Sequence, residues 1–184
     1  MKDKANYVRI LDLTLTNFPL TQRNLITALQ KSIEDNYTIL DVGCGMKTFT
    51  RHLACKNLTG IDIWEDYLVD GDILGDVREL DKIIIPKSYD VVLAIDLIEH
   101  LETKEGHKLI ADMINVAKKK VLIMTPMYWS ENKELVSEPR SWSFGNFFNY
   151  HKSFWGIQSF IELGFVQIRE NFGDEFILVV REIG

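Results

Sequence analysis

Tyr37-Thr38-Ile39-Leu40-Asp41-Val42-Gly43-Cys44-Gly45 is the stretch on which the reading of this chain turns. Tyr, Thr, Ile, Leu and Val suit a strand interior, and a short apolar run closed by glycine suits a parallel strand. Gly43 and Gly45 permit a sharp turn and let a ligand approach the backbone with no Cβ in the way. Asp41 falls at the strand's carboxyl end, where open α/β sheets bind ligands. A dinucleotide turn requires a further glycine where Thr48 stands, and a P-loop requires Gly-Lys-Ser/Thr without the intervening Met46. A carboxylate just ahead of the glycines repels a pyrophosphate and attracts an ammonium group.

Outward from that stretch, 184 residues suit one domain, read here as residues 1–184 with an N-terminal helical cover (1–36) and an aromatic substrate lid (127–152). The composition, 46% hydrophobic and 26% charged, is that of a globular chain. A net charge of -6 argues against a general nucleic-acid or anionic-membrane surface. The two cysteines, Cys44 and Cys55, belong to no ligand-spaced cluster, which favours free thiols and a cytoplasmic protein. Lys2, Asp3, Lys4, Arg9 and Asp12 interrupt the first twenty residues, so a signal peptide is not expected there.

Residues 10–15 read as a short helix or an extended arm. Thr21 is expected to cap a helix from Gln22 to Ile33 that presents Leu25, Ile26, Leu29 and Ile33 on one face. A short helix is expected over 48–55, a second strand over 58–63, a third over 67–70 and a weak helix over 77–84. A strong fourth strand follows at 89–95, then an amphipathic helix over 103–117 ended by Lys118-Lys119-Lys120, and a fifth strand at 121–124. Alternating strands and helices predict a doubly wound parallel sheet. In the tail, a helix over 154–163 precedes strands at 165–170 and 175–181, joined by a turn at 171–174 too short for anything but an antiparallel pair.

At Asp41-Val42-Gly43-Cys44-Gly45 the sequence resembles the class I S-adenosylmethionine-dependent methyltransferases, whose first motif is an acidic residue, any residue, Gly, any residue, Gly. S-adenosylmethionine carries an ammonium and a sulfonium and no phosphate, which fits the carboxylate. The segment from Tyr89 to Leu101 resembles the family's fourth strand and the acidic-His-Leu segment after it, common in enzymes that methylate small molecules. The resemblance spans about residues 37–181 and implies an α/β fold: a Rossmann-like doubly wound, seven-stranded, mostly parallel sheet with one antiparallel strand near the C-terminus and helices on both faces.

The resemblance also implies roles. Asp41, Gly43, Cys44 and Gly45 would form the cofactor turn. Asp62, with Ile63 after it, would take the ribose hydroxyls, and Trp64 would flank the adenine or half-bury at the sheet edge. Gly71-Asp72-Ile73 resembles the segment that meets the adenine, with Asp72 preferred and Asp76 its rival. Ala94 and Asp96 would lie beside the methionyl part. Lys47 stands where many members carry a third glycine, and would crowd the methionine carboxylate or pair with it.

The aromatic-rich 127–152 segment reads as substrate-facing, with Trp129, Tyr150 and His151 toward the acceptor. His151-Lys152-Ser153-Phe154-Trp155 approximately resembles a segment opening the last helix in some small-molecule methyltransferases. His151 and His100 are the candidate catalytic bases. The four His form no ligand-spaced pair, so no metal is expected. The function implied is methyl transfer from S-adenosyl-L-methionine to the oxygen, nitrogen or carbon of a small molecule, without a nucleic-acid or membrane partner. The alternatives are a non-catalytic cofactor-binding module and, less favoured, a nucleotide-dependent oxidoreductase.

Overall fold

The computed structural model describes residues 15–55, 57–172 and 174–184. Among them, seven strands form one sheet: β1 Thr38–Val42, β2 Asn57–Asp62, β3 Ile73–Leu74, β4 Tyr89–Ile95, β5 Ala117–Pro126, β6 Val166–Gln167 and β7 Phe176–Glu182. The order is β3-β2-β1-β4-β5-β7-β6. β1 to β5 pair in parallel, and β7 runs antiparallel to both β5 and β6. The strand sequence reverses between β1 and β4, which opens the crevice where such sheets take ligands.

The sheet is buried on both faces, and this explains the continuous apolar runs of its central strands. Ile39, Val91, Leu93, Leu122 and Leu178 face helix α1 (Leu20–Ser32) through Leu25, Ala28 and Leu29. Leu40, Val42, Val92, Ala94, Val121, Ile123 and Val179 face the other way. They meet α2 (Leu80–Ile83), α3 (Thr103–Val116) and α5 (Ile157–Glu162) through Leu80, Leu109, Met113, Val116 and Phe160. A short α4 (Lys133–Ser137) lies within the 127–152 segment.

Several boundaries differ from the sequence expectation. α1 starts after Pro19, and the Thr21 hydroxyl donates to Glu175 (2.9 Å) instead of capping the helix. The helix expected over 48–55 is a single 3-10 turn, Thr50–His52, because few residues remain to travel back to β2 and an α-helix gains only about 1.5 Å per residue. β3 lies later than expected. Tyr67 ends a 3-10 turn, and residues 69–72 form a tight turn in which Asp72 N–H donates to the Val69 carbonyl and Gly71 has φ +93°.

Lys118-Lys119-Lys120 belong to β5, not to the end of α3. Lys120 pairs in register with Glu182, and Lys119 Nζ lies 3.9 Å from the Tyr37 ring centre. α5 and β6 are shorter than read, and Gly164 takes a left-handed conformation (φ +79°) just after α5. The expectation for residues 10–14 and for Gly173 within the last turn lies outside the described residues. No helix among the described residues is long and apolar enough to cross a membrane.

Candidate active site

The glycine turn after β1 and the turn after β4 face each other across the crevice. Gly43 and Gly45 adopt φ +66° and +49°. A Cβ built on Gly43 would lie 2.4 Å from Leu97 Cδ1, whereas nothing stands within 4 Å of one built on Gly45. Open space in front of Gly45 is therefore the floor of a cavity of about 370 Å³, whose wall includes Asp41, Phe49, Tyr67, Ile95, Asp96 and Trp142. Phe18 and Gln22 close it from the N-terminal side.

Asp41 lies at the base of this cavity, 2% exposed, and accepts a short hydrogen bond from the Thr50 hydroxyl. Burial pushes its carboxyl up to about 7. A cationic ligand group at this cavity would favour the charged form, so the donor chemistry fits an ammonium. Asp62, at the end of β2, accepts from the backbone N–H groups of Gly45 (2.8 Å) and Trp64 (2.8 Å). Burial raises its carboxyl, opposed by those amides. Two backbone bonds leave lone pairs for a pair of hydroxyls. Burial also pushes the Cys44 thiol up.

Asp62 and Ile63 border a second, narrower cleft of about 60 Å³ with Asp76, Val77, His100 and Phe148. Gly43 lines both spaces. Because β3 ends at Leu74, Gly75-Asp76-Val77 is the Gly-Asp-apolar run that leaves the strand into this cleft. Asp72 is placed elsewhere. Its carboxylate accepts from Gly60 N–H (2.8 Å), Val69 N–H (3.1 Å) and the Lys47 ammonium, and Ile73 packs against the core. Lys47 thereby turns its charge to Asp72 rather than toward the glycine turn. Ala94 is fully buried under the helices, while Ile95 and Asp96 reach the cavity.

Asp96 ends β4 in a left-handed conformation (φ +59°), its N–H donating to the Met124 carbonyl (3.0 Å). The reversal swings the 3-10 turn Ile98–His100 beneath the 127–152 segment. There the N–H groups of Lys152 (2.7 Å) and Ser153 (3.1 Å) donate to the Glu99 carbonyl. This clamp sets the His151 ring against His100, ring centres 4.8 Å apart, with Trp129 6.2 Å from His151. Tyr150 turns its ring to Phe147 instead (5.8 Å). Glu99 is buried, and one of its oxygens accepts from Thr125 (3.0 Å). Burial raises its carboxyl well above the ordinary range, and the neighbouring Asp96 carboxylate adds to the rise. Sequence reading passed over Glu99 as part of a motif. Its partners lie far along the chain, and no local spacing announces them.

Residues 40–125 match the model of a family described as a methyltransferase domain. That match and the fold support a class I S-adenosylmethionine-dependent methyltransferase. The fold agrees with solved structures. A protein of Pyrococcus horikoshii superposes with a TM-score of 0.63 at 21% identity, covering 88% of each chain. A SAM-dependent methyltransferase from Archaeoglobus fulgidus gives 0.59 at 17% identity, over 88% of this chain and 94% of that one. The magnesium protoporphyrin IX methyltransferase of Synechocystis, solved with bound SAM, gives 0.52 at 14% identity, over 98% of this chain and 90% of that one. A search of curated protein sequences finds no match. S-adenosylmethionine is the cofactor of this family, and the open space before Gly45, the buried Asp41 and the amide-held Asp62 fit it.

Proposed function

We propose that the protein transfers the sulfonium methyl of S-adenosylmethionine to a small molecule. The observation that carries this reading is the alignment of two spaces across the strand reversal. Asp41, Gly43 and Gly45 face a cavity at the end of β1, and the Asp96–His100 turn faces the same gap from β4. Asp41 would hold the ammonium, Asp62 the ribose hydroxyls, and Asp76 with Val77 the adenine edge. This gives Asp76 the role that the sequence reading preferred for Asp72, whose oxygens are taken by Lys47, Gly60 and Val69.

The bound cofactor supplies an electrophilic methyl on a good leaving group. What the chain adds is alignment and exclusion of water. The acceptor would enter between the β4 turn and the 127–152 segment, which we read as its cover. Trp129 and His151 line a small recess there with Glu99 and Thr125. His151 and His100 would receive the acceptor's proton on a ring nitrogen that carries a lone pair. Burial lowers His100, which keeps it unprotonated and able to accept. The free thiols and the net acidity agree with a cytoplasmic, small-molecule setting.

Calorimetric titration of S-adenosylmethionine and S-adenosylhomocysteine tests the cofactor half, with Asp62→Ala and Asp62→Asn as variants of checked thermal stability. Binding in the intact protein and its loss in both variants is expected; no binding by the intact protein overturns the reading. A screen of hydroxylated and amino small molecules for S-adenosylhomocysteine release tests the transfer half. Binding without turnover on any of them would favour a cofactor-binding module.

A further inference from the structure

The fold collects Glu99, His100 and His151 so that one carboxylate oxygen and one ring nitrogen from each imidazole lie within 4.8 Å of one another. Each of the three residues also keeps an atom that the protein's hydrogen bonds leave without a donor or acceptor. Glu99 Oε1 is buried without a hydrogen-bond donor among the described residues, although Oε2 accepts from Thr125. His100 Nδ1 is likewise buried and unpartnered, while the carbonyls of Tyr150 and Asn149 lie against the ring and favour a proton on it. His151 Nδ1 stands 2.7 Å from the Ser130 carbonyl. It must donate there, so Nε2 carries the lone pair.

Buried polar atoms without partners are rare and call for a reason. An imidazole held by a backbone carbonyl through one nitrogen, with the other left bare, is the arrangement of a metal ligand. The Asp96 carboxylate beside Glu99 adds a further oxygen donor. Glu99 is buried and the two imidazoles are half-buried, so a bound ion would keep open positions toward solvent.

We infer that Glu99, His100 and His151, with Asp96 beside them, bind one first-row divalent cation such as Mn²⁺, Fe²⁺, Co²⁺ or Zn²⁺. Two imidazoles with carboxylate select these over Mg²⁺ and Ca²⁺, which prefer oxygen alone. Ligand bonds of about 2.0–2.2 Å place donor atoms roughly 3–4 Å apart, so a side-chain adjustment of about 1 Å closes the site.

The ion's role rests on the methyl-transfer reading, but its binding does not. Located at the end of β4, it would take an acceptor hydroxyl in an open position and make that hydroxyl more acidic, in place of proton acceptance by the two imidazoles, whose lone pairs it occupies. The O–H proton passes to solvent, the oxygen pair forms the bond to the methyl carbon, and the C–S pair returns to sulfur. The preferred acceptor is then an alcohol rather than an amine.

The test is titration of chelator-treated, full-length protein with Co²⁺, read by its visible d–d bands, and with Mn²⁺, read by loss of the free-ion electron paramagnetic resonance signal. One equivalent is expected, with binding weakened at least about 100-fold in His151→Ala and in Glu99→Gln. Both variants should still bind S-adenosylhomocysteine, which shows that they are folded. No uptake by the intact protein, or uptake unchanged in both variants, overturns the inference. Failure of S-adenosylhomocysteine binding with metal uptake intact would instead sink the methyl-transfer reading and leave the metal site standing.

Discussion

Lys47 holds a left-handed backbone (φ +54°), the conformation that a glycine there adopts without strain. The chain offsets this with a buried ion pair to Asp72, the two side chains only 14% and 2% exposed. Removing one partner of a buried pair costs about 3–5 kcal/mol, so Lys47→Ala should lower the melting temperature by roughly 6–20 °C. Lys47→Gly loses the same pair but relieves the strain, and should recover about 1 kcal/mol of that loss. Thermal unfolding of the two variants side by side checks this. Asp72 burial alone would push its carboxyl up, but Lys47 and the amides of Val69 and Gly60 hold it below its ordinary value. Its contribution is therefore present at neutral pH and is lost as pH falls through that lowered range.

Asp41 has the opposite sign. Its carboxyl, raised by burial to about 7, stabilises the ligand-free fold most below pH 4, and that contribution is lost as pH rises through 7. A ligand ammonium requires the ionised form. S-adenosylhomocysteine binding should therefore weaken by up to about tenfold per pH unit below 7 and level off above it. Calorimetry at pH 6 and 8 reads the effect, and Asp41→Asn should flatten the profile.

Among the elements, α3 and the chain entering α5 are the pair that sets the site. A Cβ on Gly106 of α3 would lie 2.4 Å from Trp155 Cζ2, and Trp155 is itself 2% exposed with no room to retreat. Trp155 Nε1–H donates to Ser153 Oγ (2.8 Å), and Ser153 N–H to the Glu99 carbonyl. Alanine at 106 gains about 1 kcal/mol of helix propensity, yet overpacking costs about 1–3 kcal/mol. Gly106→Ala should therefore be neutral to destabilising in a thermal melt. It should also weaken metal uptake, since Trp155 cannot shift without moving Ser153 and, with it, His151. Retained uptake beside a lowered melting temperature would show that the clamp does not position His151.

Across the whole molecule, the sheet supplies a rigid frame and the crevice at its strand reversal supplies the binding energy. A ligand that fills the crevice binds the folded state alone and raises stability by mass action. At about 100 times its dissociation constant, S-adenosylhomocysteine should contribute about 2.7 kcal/mol, or roughly 5–11 °C in melting temperature for a chain of this size. Asp62→Asn should show no such shift at the same concentration. A shift in that variant equal to the intact protein's would place the ligand elsewhere.

The strand order and the cofactor turn were legible because they depend on local chemistry. Ile39, Leu40 and Val42 are a buried strand in any register, and Gly43 and Gly45 take positive φ more readily than other residues. The end of β3 was not legible, because Asp72 folds back on Val69 and delays the strand, which moved the Gly-Asp-apolar run from Asp72 to Asp76. The Glu99–His100–His151 cluster was the least legible. The sequence contains its members without the distances between them, and a spacing rule sees only ligands that are neighbours on one element. Only the tertiary clamp of Lys152 and Ser153 onto the Glu99 carbonyl brings two distant imidazoles to one carboxylate. Local propensity determines which residues turn, bury or extend; long-range packing alone decides which of them meet.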